Sequence, residues 1–200
     1  MKPMTTLYEL ILKRRSIRQF GARPVEPESL SRIVNAGRLA ASAANQQPLE
    51  FVAVDREDLR AAIYPELKFA SAIAPAGFPR PGNEPKAYIF ALVNLKIREK
   101  MFEYDVGAAM ENMALAALAE GIASCWVISI DRPAVVRLLG IPLEYRIDAV
   151  LALGYPAQES KEEVLTDSTK YWQDEDLTFH VPKRPLASVL HINIFGSTTS

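Results

Sequence analysis

The stretch from Asp105 to Glu120 restricts the fold of this chain more than any other part of the sequence. It is rich in alanine, and only Glu111 and Asn112 interrupt its apolar interior. Gly121 follows it, as is common where a helix ends. Because the apolar residues do not follow a single stripe, we predict one long helix that is buried on every side. In a chain of 200 residues, such a helix either runs through the centre of a monomer or is covered in part by a second subunit.

The overall composition is that of a globular protein, with 49% hydrophobic and 24% charged residues. The length favours a single domain over residues 1–200. A net charge of −1 provides no general positive field, so we expect no nucleic-acid partner. Cys125 is the only cysteine, and the N-terminus has no secretory signal pattern, so we expect a cytoplasmic protein. The longest apolar run, Val106 to Ala119, is too short to span a membrane.

Helical and extended patterns alternate along the chain, which predicts an α/β or α+β fold. Four shorter helices are predicted, at about 7–14, 27–40, 55–63 and 131–140. Four short buried strands are predicted, at 51–54, 88–93, 124–129 and 147–153. Five prolines between residues 65 and 85 predict an irregular segment. Residues 157–182 are polar and acidic, which predicts an excursion over the surface, and residues 183–200 form a C-terminal segment.

Three arginines, a lysine and a serine lie close together between Lys13 and Arg18. Cations this close repel one another unless an anion lies among them or they spread into water. Arginine offers a planar set of donors that matches phosphate oxygens, and serine adds a neutral donor. The cluster therefore predicts either a site for a phosphorylated ligand or a solvated basic helix end.

Several common catalytic signatures are absent from the sequence. There is no glycine-rich dinucleotide fingerprint, no P-loop and no nucleophile elbow. His180, His191 and Cys125 do not have the spacing of metal ligands, so no metal is expected. No side-chain nucleophile or acid–base pair stands out, and we expect no catalytic side chain. An enzyme of this sequence would rely on a bound cofactor.

Four segments in order resemble the FMN-dependent nitroreductase family. They are Arg14 to Phe20, Ala41 to Pro48, Asp105 to Ala117 running into Trp126, and Leu153 to Pro156 with Lys183 to Leu186 beyond. The second is similar to the family's P-S-x-x-N-x-Q-P-W loop, although Ala41 and Leu49 replace its proline and tryptophan. The region between Val93 and Tyr104 is shorter than in many members, which insert a roof over the substrate pocket there.

The resemblance implies an α+β, three-layer α/β/α sandwich with a mixed, mostly antiparallel sheet. It implies a homodimer with long central interface helices and two FMN molecules at the interface. The implied FMN-binding residues are Arg14, Arg15, Ser16, Arg18, Ser42, Asn45, Gln47, Ile128, Ser129, Gly154, Lys183 and Arg184. Ser42 and Asn45 would come from the other subunit, and the acidic segment 157–182 is a candidate replacement for the roof.

The implied activity is reduction of nitroaromatics, quinones or other small electron-poor acceptors. NADH or NADPH gives a hydride to flavin N5, and the acceptor then takes its place in a ping-pong cycle. Two alternatives share the resemblance: a flavin sensor or carrier with little turnover, and a reductive dehalogenase-like or flavin-cannibalising relative. A small nucleic-acid-binding module using residues 13–18 is a further alternative, which the near-neutral charge argues against.

Overall fold

The computed structural model describes residues 6–70, 73 and 77–197. The chain divides into two compact units, Met1–Ala157 and Gln158–Ser200, which are treated separately below. The prediction of a single domain over residues 1–200 stays a prediction. Parts of the proline-rich segment lie outside the described residues.

A four-stranded antiparallel sheet lies at the centre of the first unit, in the order β1-β2-β4-β3. Its strands are β1 (Leu49–Val54), β2 (Ala87–Asn94), β3 (Ala123–Val127) and β4 (Tyr145–Gly154). All four lie where the apolar runs predict them. The two central strands, β2 and β4, are the more buried, whereas β1 is a half-buried edge strand.

Five helices flank this sheet, and local signals set several of their ends. They are α1 (Leu7–Lys13), α2 (Pro27–Arg38), α3 (Glu57–Ile63), α4 (Glu103–Ala119) and α5 (Arg132–Leu139). Thr6 and Glu9 form a capping box at the start of α1. Asp131 accepts a hydrogen bond from the Ala134 N–H at the start of α5, and Gly140 ends that helix at a φ of 63°.

The sheet is covered on both faces, because successive side chains of β2 point to opposite sides. Ile89 packs in one core cluster with Ile33 of α2 and Met110 of α4. Phe90 packs in another with Ile63 of α3 and Val135 of α5. The predicted three-layer α/β/α sandwich is therefore confirmed.

The long helix α4 departs from its prediction. Its face toward the sheet and α2 is buried, including Val106, Met110 and Met113. Gly107 and Leu115 are only partly buried, as are neighbours on that face, so the prediction of burial on every side is wrong for the single chain. This face carries Gly107, Leu115 and Leu118 beside the partly exposed Glu111. Its cover by a second subunit stays a prediction.

The second unit contains a small sheet of its own. Its strands are β5 (Ser160–Val164), β6 (Trp172–Gln173) and β7 (Phe179–Lys183), in the order β5-β7-β6. β5 and β7 are parallel, and β6 and β7 are antiparallel. A short 3₁₀ helix, Leu186–Ser188, follows. Within the part of the chain that is described, no helix is both long and apolar enough to cross a membrane.

Candidate functional site

The basic segment 14–18 leaves α1 and runs along the edge of the central sheet. Ser16 forms a parallel bridge to Ser124 of β3, and the Ile17 N–H donates to the Ser124 carbonyl at 2.9 Å. Phe20, which is fully buried, bridges Pro156 just beyond β4. The segment is therefore attached to the sheet at both ends, instead of continuing the helix into solvent.

Gly154, a predicted cofactor residue, is required here by close packing. A Cβ atom added to it would lie 2.9 Å from the Cβ of Phe20. The Gly21 N–H donates to the Tyr155 carbonyl at 2.8 Å in the same turn. The packing of Phe20 against Gly154 is therefore sufficient to explain why a glycine stands at this position, with or without a bound cofactor.

The two arginines at the start of the segment have different partners. The Nε of Arg14 lies 2.8 Å from the Oε1 of Glu111 on α4, and both side chains are partly exposed. The Nη1 of Arg15 donates to the carbonyls of Leu12 and Arg14, at 2.9 and 2.7 Å. Arg15 thus stabilises the end of α1, where unpaired carbonyls favour a cation. Arg14 faces α4.

Arg18 lies near the buried thiol of Cys125. Burial raises the pKa of the Cys125 thiol, and Arg18 opposes that rise through its charge and a hydrogen bond. Cys125 is a free cysteine and is buried. The predicted approach of Arg18 to a flavin ring stays a prediction.

The loop 41–48 is anchored to α4 through a buried carboxylate. Ser42 donates its hydroxyl to Oδ2 of Asp105 at 2.9 Å, and the Ala43 N–H donates to Oδ1 at 3.3 Å. Asp105 is 2% exposed, and Nη1 of Arg98 lies 3.5 Å from its Oδ2. The Gln47 N–H donates to the Ser42 hydroxyl at 2.9 Å, which closes the loop on itself. Ser42 therefore shapes the loop in this chain.

Three non-glycine residues of this loop have left-handed backbone conformations. Their φ angles are 52° at Ala44, 53° at Asn45 and 51° at Gln47. Each costs roughly 1 kcal/mol or more, so the anchoring contacts must hold the loop in place. Asn45 and Gln47 are exposed, and the loop helps to line a cavity of about 250 Å³. Such strain is common where a loop presents groups to a ligand.

Segment 14–18 and loop 41–48 both contact α4, but at different places. Their contacts, Glu111 and Asp105, are six residues apart, which is about 9 Å along the helix and about 120° around it. The Glu111 side chain is 45% exposed, whereas Asp105 is buried. One chain does not bring the two segments onto the same face of α4.

The residues that follow β3 line another cavity, of about 560 Å³. Ile128 is 62% exposed, and its carbonyl accepts from the Nη2 of Arg132 at 3.3 Å. The Ser129 carbonyl accepts from the Lys68 N–H at 3.0 Å. These two predicted residues thus lie at an accessible strand end whose backbone is held from two sides.

Trp126 is a candidate site residue that the sequence analysis did not single out. It is 41% exposed on β3, and its ring lies 4.0 Å from the position a Cβ on Gly107 of α4 would occupy. Ser124 and Ile128 share its face of the strand, because Cys125 and Val127 point to the opposite core. In the sequence, the alternation of side chains along β3 could have indicated that Trp126 lies on the face opposite the buried Cys125.

Lys183 and Arg184 belong to the second unit. The Lys183 carbonyl accepts from the Leu165 N–H at 2.8 Å, and the Nη2 of Arg184 donates to the Ser188 carbonyl. Both residues are exposed. Their role at a phosphate stays a prediction. Within the described ranges, no group of three or more His, Cys, Asp and Glu residues could hold a metal ion.

Comparison with known proteins identifies relatives of this chain. A protein of Archaeoglobus fulgidus, named as an inferred NADH dehydrogenase/NAD(P)H nitroreductase, is 34% identical over 164 residues, covering 78% of this chain and 88% of that protein. A 5,6-dimethylbenzimidazole synthase of Rhodospirillum rubrum is 28% identical over 172 residues, covering 73% and 80%.

Solved structures share the fold. An FMN-dependent nitroreductase of Clostridium difficile superposes with a TM-score of 0.65 at 21% identity, covering 93% of this chain and 98% of that one. An inferred NADH oxidase of Clostridium acetobutylicum gives a TM-score of 0.67 at 23% identity, covering 93% and 99%. The sequence model of the nitroreductase family matches residues 11–155, which include the segment 14–18, the anchored loop and α4. The chain therefore belongs to the nitroreductase family.

Proposed function

We propose that this chain is an FMN-dependent NAD(P)H oxidoreductase that reduces nitroaromatics, quinones or similar electron-poor acceptors. Family membership over residues 11–155 and the relative named for NAD(P)H nitroreductase activity support an oxidoreductase. The solved neighbour named as FMN-dependent supports the cofactor. We also propose the cytoplasm as its location.

The observation that carries the proposal is the set of donors along segment 14–18. Glu111 holds Arg14 through Nε, and neither Nη atom of Arg14 has a partner among the described residues. The Ser16 hydroxyl, which is partly exposed, likewise has none there. A planar guanidinium edge beside a hydroxyl fits a phosphate group. The residues present therefore fit the phosphate of FMN.

The protein's part in this reaction is binding and orientation. Bound FMN supplies reversible two-electron chemistry, which no described side chain supplies. Arg14 and Ser16 bind the phosphate. Trp126 and Ile128 offer exposed apolar surface beside β3 that can exclude water from the ring. Arg15 and Gly154 hold the segment in shape.

We also propose that the protein forms a homodimer. Apart from Glu111, which pairs with Arg14, the partly exposed face of α4 consists mainly of small and apolar residues, and α1 exposes Leu7, Tyr8, Ile11 and Leu12. Apolar surface of this kind is stabilised when a second subunit covers it. Loop 41–48 would then present Ser42, Asn45 and Gln47 to the FMN of the partner, with two FMN molecules at the interface.

The test is an absorbance spectrum of purified protein under anaerobic conditions, before and after NADH or NADPH. We expect a flavin spectrum that either nicotinamide bleaches and that a nitroaromatic or quinone restores. Replacing Arg14→Met and Ser16→Ala together should lower FMN occupancy severalfold without unfolding the protein. Arg137→Met, on the exposed side of α5, is the matched control. Full occupancy in the double variant would refute the phosphate assignment.

Three other functions predict different results, in the same experiment or in a simple additional assay. A flavin carrier would be bleached by dithionite and not by either nicotinamide. The relative named 5,6-dimethylbenzimidazole synthase motivates a search for that product by chromatography after incubation with FMN and NADPH in air. Release of halide from halophenols would indicate a reductive dehalogenase.

A further inference from the structure

A separate cavity lies between α3 and the chain segment that leads into β2. Its volume is about 450 Å³. None of the FMN-site residues described above lines it. It is lined by Ala22, Glu57, Arg60, Ala61, Tyr64, Glu84, Pro85, Lys86 and Tyr88.

Tyr88, one of the residues that line this cavity, has a buried hydroxyl without a partner among the described residues. Tyr88 is fully buried, and its hydroxyl makes no hydrogen bond with any described residue. By contrast, the Tyr64 hydroxyl nearby donates to the Pro79 carbonyl at 3.2 Å. Leaving a buried hydroxyl unpaired is destabilising, so a partner from outside the chain is expected. That partner is either water or a ligand.

The charges around the cavity distinguish these two cases. Arg60 is fixed by two backbone carbonyls, that of Asp55 through Nε at 2.9 Å and that of Pro85 through Nη1 at 3.1 Å. Its Nη2 has no partner in the described structure. Lys86 adds a second cation, and among the described residues its Nζ donates only to the Gly82 carbonyl, at 3.3 Å. A guanidinium held in this way is preorganised for an anionic group.

Carboxylates line the same cavity without neutralising these cations. Among the described residues, neither Glu57 nor Glu84 forms an ion pair with Arg60 or Lys86. Burial raises the pKa of the Tyr64 hydroxyl, and the carboxylate of Glu84 raises it further. Burial also raises the pKa of the Tyr88 hydroxyl, with Glu84 again contributing. Glu84 lines the same cavity as Tyr64 and Tyr88.

A ligand of a single charge does not suit this arrangement. An anion on Arg60 would be repelled by Glu84, and a cation on Glu84 would be repelled by Arg60. We propose that this cavity binds a small zwitterion of the amino-acid type, with its carboxylate on Arg60 and Lys86 and its ammonium on Glu84. The Tyr88 hydroxyl then gains its missing hydrogen bond from the ligand. This site goes beyond the proposed flavin chemistry and does not depend on it.

The test uses the full chain with its cofactor and a series of unbranched amino acids, from glycine to 6-aminohexanoate. Binding is measured by titration of backbone amide chemical shifts in NMR spectra. Butyrate and butylamine are single-charge counterparts of 4-aminobutyrate. We expect at least one member of the series to bind with a Kd of about 1 mM or better, and its single-charge counterparts to bind about tenfold more weakly. The best chain length reports the distance between the two charged subsites.

Three variants and a control assign the contacts. Tyr88→Phe should weaken binding of the best zwitterion about fivefold. It should leave the melting temperature of the unliganded protein unchanged or higher, because it removes an unpaired hydroxyl. Lys86→Met should weaken the binding of the zwitterion and of the simple anion to a similar extent. Glu84→Gln should abolish the preference for the zwitterion over the anion, and Arg137→Met should change nothing.

Two results would overturn the site. One is a series in which no zwitterion binds more tightly than its single-charge counterparts. The other is a Tyr88→Phe variant that binds as the unmodified protein does, since water would then be the only partner of the hydroxyl. Neither result bears on flavin binding, so this proposal and the oxidoreductase proposal fail separately.

Discussion

The buried carboxylate of Asp105 gives the sharpest quantitative prediction, through the substitution Asp105→Asn. The asparagine keeps the shape and one acceptor for Ser42 or Ala43. It removes the charge that faces Arg98, whose side chain is only 14% exposed. Breaking a buried pair by removing one partner costs about 3–5 kcal/mol, because the other charge is left uncompensated. The remaining exposure of Arg98 places the expected loss of unfolding free energy near the lower end, about 3 kcal/mol.

The assay is urea unfolding followed by fluorescence, together with FMN content. A loss of about 3 kcal/mol corresponds to a fall of roughly 6–12 °C in Tm for a unit of this size. Because Asp105 also anchors loop 41–48, FMN content should fall in parallel. Adding Arg98→Met to Asp105→Asn should recover part of the stability, since the uncompensated positive charge of Arg98 is then removed. It should not restore the loop.

An exposed pair provides the matched control. Arg56 and Asp58 approach more closely than Arg98 and Asp105 do, with Nη2 and Oδ2 at 2.5 Å, but both side chains are more than 60% exposed. Asp58→Asn should therefore leave stability and flavin content unchanged, since exposed ion pairs contribute little. If Asp105→Asn behaved like Asp58→Asn, the buried pair would not hold the loop and the reasoning would be refuted.

Two further predictions concern packing and protonation. Gly154→Ala should cost about 1–3 kcal/mol by overpacking against Phe20, whereas Gly21→Ala, whose added Cβ meets its nearest neighbour at 3.7 Å, should be tolerated in the same urea assay. Asp174, with Glu163, raises the pKa of His180 above 6.5. An NMR titration should therefore give a midpoint above 6.5 that Asp174→Asn lowers. Because the folded pKa is raised, the stabilisation is complete below the unfolded pKa and is lost as pH rises through the folded one.

Local signals in the sequence predicted most of the first unit. Thr6, Asp131 and Gly140 act within a few residues of their own position, so their helix ends could be read without the fold. The apolar runs of β2 and β4 are buried on both faces and are long enough to be recognised as strands. These features depend on the nearest neighbours in the chain and on the period of the side chains.

Contacts between distant residues could not be predicted in this way. The hydroxyl of Ser42 joins a carboxylate 63 residues away. The family resemblance had suggested this serine as a cofactor contact. In unit two, β5 and β7 are parallel strands of five residues, with little apolar alternation in β5. Their pairing is supported by His180, which contacts Glu163 of β5 and stacks on Trp172 of β6 at 4.0 Å. Composition alone indicated only a polar surface excursion.

The geometry of α4 leads to a final prediction, which rests on the proposed function. Segment 14–18 and loop 41–48 contact different faces of this helix, through Glu111 and Asp105. If both segments bind the same FMN, the loop must come from a second chain. A charge placed on the partly exposed face of α4 should then remove the dimer and the flavin together, although residues 14–18 are untouched.

The substitution Leu115→Arg introduces that charge, and Leu143→Arg is the control. Leu115 is partly buried on α4, whereas Leu143 is 95% exposed in the loop before β4. Light scattering should give a monomer with little FMN for Leu115→Arg and a dimer with full FMN for Leu143→Arg, because an arginine is costly only where a partner would desolvate it. A monomeric Leu115→Arg protein that kept all of its FMN would mean that one chain forms the whole site. The left-handed conformations of Ala44, Asn45 and Gln47 would then need another explanation.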